Sequence, residues 1–204
     1  LAKWLFALAA GSGVARACSA PRQVLFAAEP TNALVAEQAG RTPRAQRLDG
    51  VLAAWWEDDR AQELPGAHAY RVEESLHWDD APADHDVSAP GGSAPGVAVL
   101  YFVQPRADLS QAEFVSRYRG GHAPLARVHH PGIRRYVQNF VLEVGAGAPA
   151  WGAISELHFA SEADFRERFY RDAESPAIIA RDIARFTDPN TGFALVTRMR
   201  GAPA

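Results

Sequence analysis

Apolar and polar positions fall into two cycles along the 204-residue chain. In the first, Lys3 to Ala9, Arg22 to Ala28, Gly50 to Trp56 and Ala69 to Trp78 are apolar or alternating runs of strand length. Residues 14 to 20 fit a short helix, and residues 33 to 49 are weakly patterned, loop with some helix. Residues 79 to 96 hold Pro82, Pro90, Gly91, Gly92, Ser93 and Pro95, a linker composition without core-forming content. The second cycle has strands at Val97 to Val103, Ile133 to Val141, Gly152 to Phe159 and Phe193 to Met199. It has helices from Ser161 towards Tyr170 and from Ser175-Pro176 through Phe186. Lys3 to Ala9 reads as a first strand rather than a targeting segment, because the apolar run is short and Arg16 sits near the would-be cleavage site.

The clearest pattern runs from Asp108 to Phe140. Ser110 and Glu113 form a capping box, in which each side chain covers the other residue's backbone N–H. Phe114, Tyr118, His122, Leu125 and His129 then follow at helical spacing. Gly120 and Gly121 interrupt this helix, and Pro131-Gly132 ends it before the next strand. Tyr118 and His122, one turn apart, project from the same side.

These residues resemble the EthD family: the capped helix with Phe114, Tyr118 and His122-Ala123-Pro124-Leu125, then Pro131-Gly132 and Tyr136-Val137-Gln138-Asn139. Gly152 to Phe159 and Asp182 to Asp188 resemble that family's third strand and its Asp-x-x-x-Phe ending, so the likeness spans roughly residues 96 to 200. It implies a ferredoxin-like unit that pairs with a second unit to close a dimeric α/β barrel. Similar barrels serve polyketide cyclases, dehydratases, lactone isomerases and cofactor-free monooxygenases, so the resemblance bears more on fold than on chemistry.

The two cycles line up with each other. Residues 3–8 match 98–103, residues 49–56 match 151–158, and Tyr70 to Trp78 matches Phe193 to Arg200. The expected fold is α+β: two ferredoxin-like β-α-β-β-α-β repeats in one chain, closing a pseudo-dimeric α/β barrel. A degenerate repeat would occupy residues 1–78, a linker residues 79–96, and the EthD-like unit residues 97–204. A sheet with helices on one face must bury the other, and two such sheets can cover each other. The alternative is two unrelated α+β halves.

Composition adds exclusions. A net charge of -3 gives no reason to expect nucleic acid or an anionic membrane as partner. No apolar run reaches the length of a membrane span. Cys18 is the single cysteine, which excludes an intramolecular disulfide and a cysteine metal site and fits a cytoplasmic location. His129 and His130 diverge on a helix, and no metal-ligand or nucleotide-binding motif occurs, so neither metal nor cofactor is expected.

A barrel interior receives alternate residues of each strand. Ile154, Glu156 and His158 share one face, and the aligned face of the first cycle carries Leu52, Ala54 and Trp56. Glu156, His158, Trp56 and Tyr101 are the expected substrate-binding residues, in a pocket for a hydrophobic small molecule. The resemblance places His122 at the family's helix histidine. With Tyr118 and Tyr136 it makes the expected catalytic set, the histidine as general base and a phenol to stabilise an enolate. A structural histidine on a core helix remains the other reading. Tyr136 and Asn139 fall on opposite strand faces, with Tyr136 assigned to the pocket and Asn139 to helix packing. Asp182 and Phe186 read as structural: a carboxylate near a cap or arginine, and an aromatic into the core. The expected function is a cofactor-free dehydratase, cyclase or isomerase acting on an apolar polyketide-, aromatic- or steroid-like carbonyl compound. A cofactor-free monooxygenase is a variant. A non-catalytic or haem-associated carrier is the alternative, and a Soret band would distinguish it. Closure within one chain makes dimerisation unnecessary, while leaving room for a homodimer through outer surfaces.

Overall fold

The computed structural model describes residues 1–11, 20, 22–28, 48–58, 64–81, 87, 92–188 and 191–201. All but Ala20 of the expected helix at residues 14 to 20, and most of the weakly patterned stretch 33 to 49, lie outside the described residues. Among the described residues, eight strands close into an antiparallel barrel: β1 (Ala2–Ala9), β2 (Arg22–Ala28), β3 (Leu48–Trp56), β4 (Ala67–Asp79), β5 (Val97–Val103), β6 (Ile133–Val144), β7 (Ala153–Phe159) and β8 (Phe193–Gly201). The order around the barrel is β1-β3-β2-β8-β5-β7-β6-β4. The first four strands therefore stand as β4-β1-β3-β2 and the last four as β8-β5-β7-β6. The β2–β8 and β4–β6 ladders join the two sets. Closure leaves no strand edge open.

The described helices belong to the second half. α1 (Gln111–Ser116) runs through a π-helical turn (Arg117–His122) into α2 (Ala123–His129). Ser110 and Glu113 make the capping box, the serine hydroxyl accepting from the Glu113 N–H and the carboxylate from the Ser110 N–H. Gly120 and Gly121 lie inside the π turn, where the Ala123 N–H donates to the Tyr118 carbonyl five residues back. That extra residue shifts the helix face: Phe114, Tyr118 and His122 stay buried, but Ala126 replaces Leu125 on the inner side. α3 (Glu162–Glu167) and α4 (Ser175–Ile183) pack on the same sheet face and end earlier than the sequence pattern suggests.

The barrel interior holds Leu5, Ala7, Val24, Phe26, Val51, Ala53, Trp55, Tyr70, Val72, Ile154 and Leu195 from both halves. This corrects the expected lining of β3. Leu52, Ala54 and Trp56 belong to the outer cluster with Trp4, Phe6 and Leu8, and Trp55 takes the inward place assigned to Trp56. A one-residue slip in matching the two cycles inverts every side chain. Residues 79–96 also differ from a bare linker, since Val87 and Ala94 are buried in the barrel core and β4 extends to Asp79. At the start of β5, Gly96 has φ +85, and a Cβ there would come within 2.1 Å of the Phe159 carbonyl oxygen.

Candidate active site

Strand β7 divides the expected site in two. Ala153 and Leu157 pack into the helix-covered clusters and Ser155 bonds Tyr118 there, whereas Ile154, Glu156 and His158 face the barrel interior. His122, Tyr118, Tyr136 and Tyr101 lie with the helices, and Glu156 and His158 inside the barrel. The expectation that all of them address one barrel cavity is therefore corrected: the sheet separates them.

In the helix–sheet layer, His122 closes the π turn and is 7% exposed. Its Nδ1 stands 3.0 Å from Asp182 Oδ2. A carboxylate only accepts, so Nδ1 carries the proton and Nε2 is left as the basic nitrogen. Phe186, four residues after Asp182, sets its ring 5.3 Å from that of His122 and stacks on Tyr118 at 4.7 Å. The Asp-x-x-x-Phe spacing thus holds the histidine from two sides. Asp182 is also 3.6 Å from Arg185, as a structural role suggests, but its bond to His122 is the feature that sequence reasoning missed.

Beside this pair, Tyr118 Oη and Ser155 Oγ are 2.8 Å apart, and Gln138 Nε2 donates to Tyr136 Oη at 2.9 Å. Burial pushes the Tyr118 and Tyr136 phenols above their ordinary range, so both stay protonated donors. Burial also raises Tyr101, which borders the layer with Trp78 and Tyr170.

Inside the barrel, Lys3 Nζ donates to Glu156 Oε1 at 2.8 Å and to Glu74 Oε2. His158 Nε2 lies 3.1 Å from Glu156 Oε2. Asn139 Nδ2 donates to Glu156 Oε1 and to the Ile154 carbonyl, each at 2.8 Å. This corrects the assignment of Asn139 to helix packing and of Tyr136 to the barrel pocket: they exchange places. Burial disfavours the Glu156 carboxylate, but Lys3 and His158 more than offset it and hold the group well below the usual carboxylate range. Lys3 follows from alternation with Leu5 and Ala7, a signal present in the sequence and passed over. Among the described residues no group of three His, Cys, Asp or Glu side chains could hold a metal ion, and no helix is long and apolar enough to cross a membrane.

The geometry can be set beside known proteins. Residues 106–190 match the EthD domain. A crystal structure of an anthrone oxidase-like protein superposes with a TM-score of 0.50 at 14% identity, covering 100% of this chain and 96% of that one. No curated protein matches. At that identity the likeness concerns fold alone. Residues 106–190 are therefore similar to the EthD domain, within an α+β fold shared with the anthrone oxidase-like structure.

Proposed function

We propose that the protein is a cofactor-free enzyme in which His122 removes a proton from a carbon next to a carbonyl, or conjugated with one through an aromatic ring, in an apolar, planar ketone. The observation that carries this reading is the Asp182–His122 bond, which fixes the imidazole tautomer and leaves Nε2 basic beside the protonated Tyr118. Tyr118 or Tyr136 would donate to the enolate oxygen as charge develops. Trp78, Tyr101 and Tyr170, each partly exposed, offer aromatic faces to a planar ring system.

Elimination, cyclisation or isomerisation can follow from the same enolate. So can oxygenation. An anthrone, the compound class for which the similar structure is named, has a ring CH₂ acidified by the carbonyl opposite it in the central ring. Its carbanion adds O₂ to give a hydroperoxide, which loses water to the quinone: CH₂ plus O₂ becomes C=O plus H₂O. Incubating the protein with anthrone in deuterated buffer without oxygen tests the shared first step. Enzyme-accelerated deuterium incorporation at the CH₂ supports the reading, and admitting air then asks whether quinone forms. Incorporation no faster than in buffer alone would remove anthrone-type ketones as substrates.

The same reading extends to the scaffold: two fused ferredoxin-like units, the first of them degenerate. The equal strand order of the halves, β4-β1-β3-β2 and β8-β5-β7-β6, supports it.

A further inference from the structure

The ladder between β4 and β6 holds an irregularity that brings one more residue to the helix–sheet layer. Ser75 pairs with Gln138 and Leu76 with Val137, but the next pair is Trp78 with Tyr136. His77 is thus the extra residue of a β-bulge. Regular alternation would send His77 and Trp78 to opposite faces. The bulge breaks it, and both rings lie against Tyr136, with centroids 5.3 and 5.0 Å away.

His77 Nε2 is 2.9 Å from Gln138 Oε1. The amide of Gln138 has a fixed orientation, because its Nε2 donates both to the Tyr118 carbonyl at 3.1 Å and to Tyr136 Oη at 2.9 Å. Oε1 is therefore the acceptor, and His77 Nε2 must carry a proton. Tyr136 Oη accepts from Gln138, so its own proton goes onward to Tyr118 or Ser155, its other two partners. Those two share a single hydrogen bond. Three hydroxyl protons thus serve three links, and the Gln138 N–H joins this cluster at Tyr136 Oη.

We infer that His77 is a positioning residue of this site: its donation to Gln138 holds the amide that donates to Tyr136 Oη, and so sets the orientation of the Tyr136–Tyr118–Ser155 hydroxyl cluster, which would meet a substrate oxyanion. Only that last step rests on the function proposed above. His77 belongs to β4, outside residues 106–190, so the N-terminal half contributes to a site otherwise built from the EthD-like residues. Burial lowers the His77 pKa, the Gln138 bond opposes this, and Arg119 and His122 lower it further. The ring is then neutral at neutral pH, as a single fixed donor requires.

The test uses the free protein, so that it does not depend on turnover. Nitrogen-15 spectra of ring-labelled histidine should show His77 as the Nε2–H tautomer at neutral pH. His77→Phe keeps a ring but no donor, and should shift the Cζ signals of Tyr136 and Tyr118 in carbon-13-labelled tyrosine. His77→Gln, whose amide can donate to Gln138, should bring them back. An Nδ1–H tautomer, or a mixture of tautomers, in the unaltered protein would overturn the inference even if no variant folds. So would tyrosine signals unmoved by His77→Phe. Failure of deuterium exchange with anthrone would sink the proposed reaction while leaving these spectra to decide the orientation of the cluster.

Discussion

Single side chains carry the chemistry of the helix–sheet layer, and each has a distinct expected phenotype. His122→Ala should lower the rate of proton abstraction by about 10²–10⁴-fold, as removing a general base does. Asp182→Asn leaves a group of the same shape that can donate to Nδ1. It therefore favours the wrong tautomer, and a loss of roughly the same order is expected with the fold intact, checked by steady-state kinetics beside circular dichroism. At this scale the sequence was partly legible. His122 and Tyr118 were visible because helix spacing places them on one face, and the resemblance singled out the histidine. Asp182 was visible as a residue but not as a partner, since helix spacing says nothing about contact between separate helices. His77 was hidden, because a bulge leaves no trace in an alternation pattern. On β3 and β6 the residue types were right and the faces inverted, since short strands with apolar residues on both sides give no phase.

Among elements, the helix with its π turn and the glycine at the β5 entrance matter most. The capping box and the Pro131-Gly132 stop were readable, and the described helix runs between them. The π turn was not: Gly120 and Gly121 read as interruptions, whereas they sit inside continuous helix at non-positive φ, where a Cβ would touch nothing within 4 Å. The turn rephases the helix so that His122 and Ala126 face inward together, in keeping with the frequent use of π turns at functional sites. Gly96 is the opposite case, with positive φ and no room for a Cβ. Gly96→Ala should cost more than about 1 kcal/mol in denaturant unfolding, with an unchanged m-value.

Across the whole molecule, the barrel joins its halves through buried charge as well as through apolar packing. Lys3 comes from the first half, with the exposed Glu74 bonded to it from outside, and Glu156, His158 and Asn139 come from the second. Removing one member of a buried pair strands the other. Lys3→Met should therefore destabilise by about 3–5 kcal/mol, a fall in Tm of roughly 6–20 °C for a chain of this size. The sign with pH follows from Glu156, whose folded pKa is depressed. Its contribution is present above the ordinary carboxyl value of about 4.3 and is lost as pH falls towards the depressed folded value. A Tm series from neutral to acid pH should show that decline, and Glu156→Gln should flatten it. Eight strands were legible from short apolar runs between turn residues. The place of residues 79–96 was not, because Val87 and Ala94 are too few among Pro and Gly to mark a core segment, yet both are buried in the barrel.

The central claim is that chemistry sits between helices and sheet, with His122 as base, and that the Glu156 cluster inside the barrel is structural. The most direct measurement is the rate of deuterium incorporation into anthrone under anaerobic conditions, compared for the unaltered protein, His122→Gln and Glu156→Gln below the Tm of each. The account predicts that His122→Gln loses about 10²–10⁴-fold while Glu156→Gln exchanges at the unaltered rate. Exchange that survives in His122→Gln and disappears in Glu156→Gln would contradict it and place the reaction inside the barrel.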